Sequence, residues 1–228
     1  MIDVNPTPSL PSLPTSALAR LQALSQDGQR KIIGLVGPPG CGKSTVAQAL
    51  CQAFPALSQV MPMDGFHLAN VELARLGLAQ RKGSPPSFDS AGYVALLERL
   101  RRQGAEDIVY APDFRREIEE PMAGAIAVLH TTRLLVTEGN YLLLNEGHWA
   151  RVAPLLDDIW YVAVDEALRI ERLTRRHRQF GRSEAEARAW VASNDEPNAR
   201  LVEASQHRAN FVFRWATEDD ATQADVTR

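Results

Sequence analysis

Residues 31–50 read Lys-Ile-Ile-Gly-Leu-Val-Gly-Pro-Pro-Gly-Cys-Gly-Lys-Ser-Thr-Val-Ala-Gln-Ala-Leu. The first six are an apolar run of strand type and the last six a helical run. Between them, Gly37 to Ser44 fill every fixed position of the pattern G-x-x-x-x-G-K-[ST]. Strand, glycine-rich turn and helix in that order make this pattern a phosphate-binding loop. The glycines let the backbone curl so that its N–H groups converge on phosphate oxygens, and the helix start adds the positive end of its dipole. The nucleotide cradle predicted here is Gly37, Pro38, Pro39, Gly40, Cys41, Gly42, Lys43, Ser44 and Thr45. Lys43 is placed to reach the β- and γ-phosphates, and the Ser44 hydroxyl to hold Mg²⁺.

Outward from this stretch, strand-like and helix-like runs alternate. Thr15 is positioned to cap a short helix bearing Leu18, Leu21 and Leu24. Pro55 stops the helix that follows the phosphate loop. Strands are expected at 59–63, 107–111, 125–129, 133–137, 159–164 and 211–213, and helices at 68–76, 90–102, 166–180, 183–193 and 198–208. Residues 77–89, rich in Gly, Pro and Ser, read as a mobile functional loop. The alternation predicts an α/β fold, a doubly wound, mostly parallel sheet of P-loop NTPase type with a helical lid. In such sheets ligands sit beyond the strand C-termini. Residues 1–14, with four prolines, read as a loose tail. Residues 15–215 form the domain, with the lid at about 166–182, and 216–228 a frayed end.

Chemistry-bearing residues fall directly after the apolar strands. Asp64 follows the second, where a carboxylate can accept the proton of an attacking hydroxyl; the alternative is a solvated Asp-Gly turn. Glu138 ends the 133–137 run, where a carboxylate commonly holds Mg²⁺ directly or through water, or caps the next turn. The 166–180 helix places Arg169, Arg172 and Arg176 on one face by i, i+3, i+7 spacing. Guanidinium groups there suit a migrating phosphoryl group, which needs positive charge and shelter from water. Otherwise they form a solvated basic face.

The composition is that of an ordinary globular chain: 228 residues, 45% hydrophobic, 23% charged, net charge −3. It gives no basic excess for nucleic acid and no apolar run of the roughly 20 residues a membrane helix needs. The start has no signal-peptide pattern, so the expected location is cytoplasmic. Cys41 and Cys51 read as free thiols, Cys41 as either oxidation-sensitive at a helix start or simply small. No Asn-Lys-x-Asp motif for guanine is present, which weighs against a GTPase. Asp64 weighs against the other alternative, a nucleotide-binding regulator or sensor without transfer.

Six blocks extend the pattern: the phosphate loop, Met63-Asp64-Gly65-Phe66-His67-Leu68, Arg81-Lys82-Gly83-Ser84-Pro85-x-x-Phe88-Asp89, Tyr110-x-Pro112-x-Phe114, Glu138-Gly139-Asn140-Tyr141-Leu142-Leu143 and Asn194-Asp195-x-Pro197-Asn198. Together, across 31–213, they resemble the phosphate-loop kinases related to uridine kinase, phosphoribulokinase and bacterial pantothenate kinase, nearest the branch of bacterial kinases associated with fructose transport. The resemblance implies strand order 2-3-1-4-5, ATP as donor with Mg²⁺, and phosphorylation of an alcohol on a small molecule such as a sugar, a nucleoside or a pantothenate-like compound. It implies Asp64 as base and Arg172 and Arg176 as the lid arginines, beside the readings above of Lys43 at the phosphates and Ser44 with Glu138 at the metal. Asp64, Phe66, His67, Lys82, Tyr110, Arg115 and Tyr141 are the acceptor-side candidates. The branch carries Phe-Asp-Arg where this chain has Phe114-Arg115-Arg116, so an arginine stands in the place of a carboxylate. The expected partner is the small-molecule substrate, with a homodimer left open.

Overall fold

In the computed structural model, which describes residues 10–54 and 57–215, the strand at 31–36 lies at the middle of a five-stranded sheet. The elements in chain order are α1 (Thr15–Leu24), β1 (Lys31–Val36), α2 (Lys43–Ala53), β2 (Ser58–Pro62), α3 (Asn70–Arg75), α4 (Ser90–Arg101), β3 (Ile108–Arg115), β4 (Glu120–Leu129), β5 (Leu134–Gly139), β6 (Asp158–Val162), α5 (Glu166–Gln179), α6 (Glu184–Trp190), α7 (Glu196–Glu203) and β7 (Phe211–Phe213). The sheet runs β2-β5-β1-β6-β7 with every pairing parallel. Counting only its own strands, the order is 2-3-1-4-5. The expectations for tail residues 1–9, for Pro55 as a helix stop and for the end beyond 215 fall outside the described residues.

Side chains alternate across a strand, and here both faces are covered. Ile32, Val36 and Leu135 enter one core, which also holds Met61, Tyr93, Leu97 and Trp149. Ile33, Leu35, Leu134 and Val136 enter the other, with Val46, Leu50, Trp160 and Phe213. All six residues of β5 are buried. Among the described residues, no helix is long and apolar enough to cross a membrane.

Two local expectations change. Thr15 is the first residue of α1 and makes no side-chain cap; Pro14 stands at the cap position. The two short strands expected at 107–111 and 125–129 are longer and pair with each other, antiparallel, as a separate ribbon from Ile108↔Leu129 to Arg115↔Glu120. Pro112 made the first strand read short, because proline has no N–H for a ladder. The register shifts between Ala111 and Asp113, so the ribbon takes up Pro112 as an irregularity and continues.

Candidate active site

The phosphate loop leaves β1 and turns into α2 through Gly40 (φ 80°) and Gly42 (φ 95°), a backbone region that side chains rarely adopt. A Cβ on Gly40 would stand 2.7 Å from Leu173 Cγ of α5, so the lid helix packs directly on the loop. Lys43 Nζ donates to the carbonyls of Gly37 (2.9 Å) and Pro38 (3.2 Å) and to Asn140 Oδ1 (2.8 Å). Pro39, Gly40, Gly42, Lys43, Ser44 and Thr45 line a cavity of 540 Å³. Gly37, Pro38 and Cys41 do not line it; the first two supply acceptors for the lysine. Burial pushes the Cys41 thiol up, which favours the small-side-chain alternative over a reactive thiolate.

Asp64 lies in a 3₁₀ turn, Met63–Phe66, directly after β2. Gly65 allows this placement: a Cβ there would lie 2.3 Å from the Pro112 carbonyl oxygen, so the β3–β4 ribbon sits on the turn's backbone. Across the strand pair, Glu138 is in register with Pro62, the last residue of β2. Ser44 Oγ donates to Glu138 Oε1 at 2.8 Å. The two carboxylates shift in opposite directions. Burial works against the charge of Asp64, but His67, Arg116, Lys43 and Arg176 outweigh it and hold Asp64 below its ordinary value. Burial also pushes His67 down, against the pull of the Asp64 carboxylate beside it. Burial and then repulsion from Asp64 push Glu138 up, against Lys43, the Ser44 hydroxyl and Arg116.

A buried carboxylate raised in this way, bonded to the phosphate-loop serine, fits a cation beside it. Among the described residues no cluster of three metal-ligating side chains exists.

From α5, Arg172 and Arg176 line the same cavity, and among the described residues neither has an ion-pair or hydrogen-bond partner. Burial, then Arg116, lowers Arg176. Arg169 does not join them. It is 1% exposed and pairs with Glu196 at 2.6 Å, which makes it a packing residue. His177 Nε2 lies 2.8 Å from Asp195 Oδ2, and Arg182 stacks 3.7 Å from the Trp190 ring centroid; all four residues line the cavity. Asp195 closes a π-helical turn, Val191–Asp195, inserted between α6 and α7.

The acceptor-side candidates divide. His67 and Lys82 line the cavity with Asp64. Phe66 packs against Tyr93 at 5.2 Å in the core. Tyr141 is fully buried and donates to the Gly83 carbonyl at 2.5 Å, so it fastens the 77–89 segment. That segment forms two short 3₁₀ turns, Ala79–Arg81 and Pro85–Ser87, hydrogen-bonded through Ser87. Tyr110 and Arg115 do not line the cavity: Tyr110 is exposed on the ribbon, and Arg115, also exposed, lies 4.0 Å from Asp113. The arginine that replaces a carboxylate in the branch pattern therefore stands outside the cavity. Its neighbour Arg116 lines the cavity and reaches Asp64 Oδ2 at 3.3 Å. Arg116 and Asn140 are cavity residues that the sequence reading did not select.

Residues 33–100 match the family described as ATPases associated with various cellular activities (AAA). The chain is 32% identical over 206 residues to a Schizosaccharomyces pombe protein provisionally named a uridine kinase, covering 86% of this chain and 87% of that one. It is 34% identical over 206 residues to the uncharacterized protein YggC of Escherichia coli K12, covering 88% and 84%. Among solved structures, a protein of Silicibacter sp. TM1040, provisionally described as a fructose transport system kinase, superposes with a TM-score of 0.78 at 33% identity, covering 87% of this chain and 98% of that one.

Proposed function

Because the chain belongs to the phosphate-loop kinase-like family related to uridine kinase, we propose that it is an ATP- and Mg²⁺-dependent phosphotransferase acting on an alcohol group of a small molecule. The observation that carries this reading is the shared cavity. Asp64 lines it together with Lys43, Ser44, Glu138, Arg172 and Arg176. A protein that only bound nucleotide would have no need of a carboxylate at that point.

When bound, Mg²⁺–ATP supplies the phosphoryl group, and the metal offsets part of its charge. Ser44 and Glu138 are the residues to hold the ion. Lys43, here held by Asn140 and the Gly37 and Pro38 carbonyls, would meet the phosphates. Arg172 and Arg176, which line the same cavity, would offset the negative charge that spreads over the moving group. Asp64 takes the proton of the acceptor hydroxyl as its oxygen forms the new O–P bond and the bond to the β-phosphate oxygen breaks, leaving ADP.

The test is an acceptor screen with coupled ADP detection over ketoses, nucleosides and pantothenate, followed by Asp64→Asn on the acceptor found. The variant should keep ATP affinity by calorimetry and lose about 100-fold or more in turnover. Unchanged turnover removes Asp64 from the mechanism. Tight ATP binding by the wild type with no transfer to any acceptor moves the assignment to a nucleotide-dependent regulator.

A further inference from the structure

Away from the phosphate loop and lid, one wall of the cavity is built by the ribbon and the 77–89 segment, and two cations converge there on one ring. Lys82 Nζ lies 5.2 Å from the Phe114 centroid and Arg116 Cζ 5.9 Å from it. Neither cation is fully matched by a carboxylate. Lys82 donates to two neutral oxygens, Asn70 Oδ1 at 2.7 Å and the Glu119 carbonyl, and its carboxylate contact is Glu119 at 3.9 Å. Arg116 touches Asp64 through one nitrogen at 3.3 Å and, among the described residues, makes no other hydrogen bond or ion pair. Glu119 itself is a non-glycine residue at φ 53°, held at the cavity wall by the Lys82 and Asn70 side chains on its carbonyl. The rings here are already in use: His67 packs between Phe88 (4.0 Å) and Phe114 (4.8 Å). The site offers charge where a nucleobase would need an open aromatic face.

Resting on the phosphotransferase reading above, we propose that the acceptor is an alcohol carrying its own carboxylate or phosphate, which Arg116 and Lys82 receive beside Phe114. A guanidinium holds a two-oxygen anion through paired hydrogen bonds, a better match than its single long contact with Asp64. The acceptor anion thus draws Arg116 off Asp64 as the hydroxyl arrives, and a carboxylate relieved of its arginine is the stronger base. In the empty site Arg116 stays on Asp64 Oδ2. A neutral polyol or nucleoside gives Arg116 no reason to leave.

The test is calorimetry on protein saturated with Mg²⁺ and a non-hydrolysable ATP analogue. The titrants are matched pairs: glycerol against glycerate and glycerol 3-phosphate, pantothenol against pantothenate, fructose against fructose 6-phosphate, with uridine as the neutral ring. A charged member should bind at least about 10-fold tighter than its neutral partner, and the carboxylate and phosphate arms decide which anion is preferred. Arg116→Ala should erase about 10- to 100-fold of that preference, the usual worth of charged hydrogen bonds. Arg116→Lys should restore part of it. Analogue affinity should stay constant, and Arg115→Ala should behave as wild type. The inference is overturned if in every pair the charged member binds no better than the neutral one, or if its advantage survives Arg116→Ala. Since binding is read without turnover, a charged ligand that binds but is never phosphorylated defeats the kinase reading alone.

Discussion

Asp64, just after β2, and Glu138, in neighbouring β5, shift in opposite directions, and the proposed function gives the ionised one to the acceptor proton and the strained one to the metal. The strain has a sign that can be measured. The folded pKa of Glu138 is raised above its ordinary 4.5, so its contribution to stability is fully present below that value and is lost as pH rises through the folded pKa. Asp64 is lowered, so its contribution is present above its ordinary 3.8 and is lost as pH falls through the folded pKa. Glu138→Gln keeps an oxygen for the Ser44 hydroxyl and removes the repulsion. The ligand-free variant should melt a few degrees higher than wild type at pH 8, and the gain should shrink towards pH 4 as the wild-type carboxyl takes up its proton. Turnover should fall by about 100-fold or more, because the metal loses its anionic neighbour. A variant destabilised at pH 8 contradicts the assignment of Glu138 as a strained metal-side group. These acids were legible in the chain because each follows an apolar strand. Asn140 and Arg116 were not, since their partners Lys43 and Asp64 lie 97 and 52 residues away in sequence, and no local pattern links them.

At the scale of elements, α5 separates into working and structural arginines. Among the described residues the Arg172 and Arg176 side chains line the cavity without an ion-pair partner, whereas Arg169 is buried against Glu196. Arg172→Ala and Arg176→Ala should each lower kcat by about 100-fold while the KM for ATP moves only a fewfold, because charge placed for the migrating group matters most in the transition state. Arg169→Ala should do the reverse: stability falls by about 3 kcal/mol, since Glu196 loses its buried partner, with kcat nearly kept in the folded fraction. Melting curves beside steady-state kinetics separate the two patterns. If all three variants lose stability alone, α5 is a packing helix and its arginines are not phosphate ligands. Helical spacing put the three arginines on one face, and that reading found two of them. It could not show that α7, 27 residues beyond Arg169, supplies an acid to turn the third inward. The ribbon was harder to read. Period-two alternation holds from Val109 to Ala111, but the irregularity at Pro112 resets it, so the sequence could not tell that Arg116 points inwards while Tyr110 and Arg115 stand outside the cavity.

Across the whole molecule, the parallel sheet gives its two ends different tasks. The strand C-termini carry the phosphate loop, Asp64 and Glu138, where crowded like charges and glycine turns weaken the fold locally. The opposite end is held by Arg30, just before β1. Its guanidinium donates to the carbonyls of Thr132 (2.8 Å), Leu100 (3.2 Å), Leu129 (2.6 Å) and His130 (2.9 Å) and to Gln103 Oε1 (2.5 Å). One side chain thus joins the end of α4, the end of the ribbon and the lead into β5. Arg30→Ala removes all five bonds. Water can replace those at the surface, so the expected loss is about 2–4 kcal/mol, a fall in Tm of roughly 5–15 °C for a chain of this size. Arg30→Lys should recover little, because an ammonium is a point donor and cannot span the same set of acceptors. Below the new melting point, kcat and both KM values should match wild type, since no part of this contact reaches the cavity. A change in kcat without a change in Tm would mean that the two ends of the sheet are coupled, and that the ribbon transmits the state of its base to Arg116.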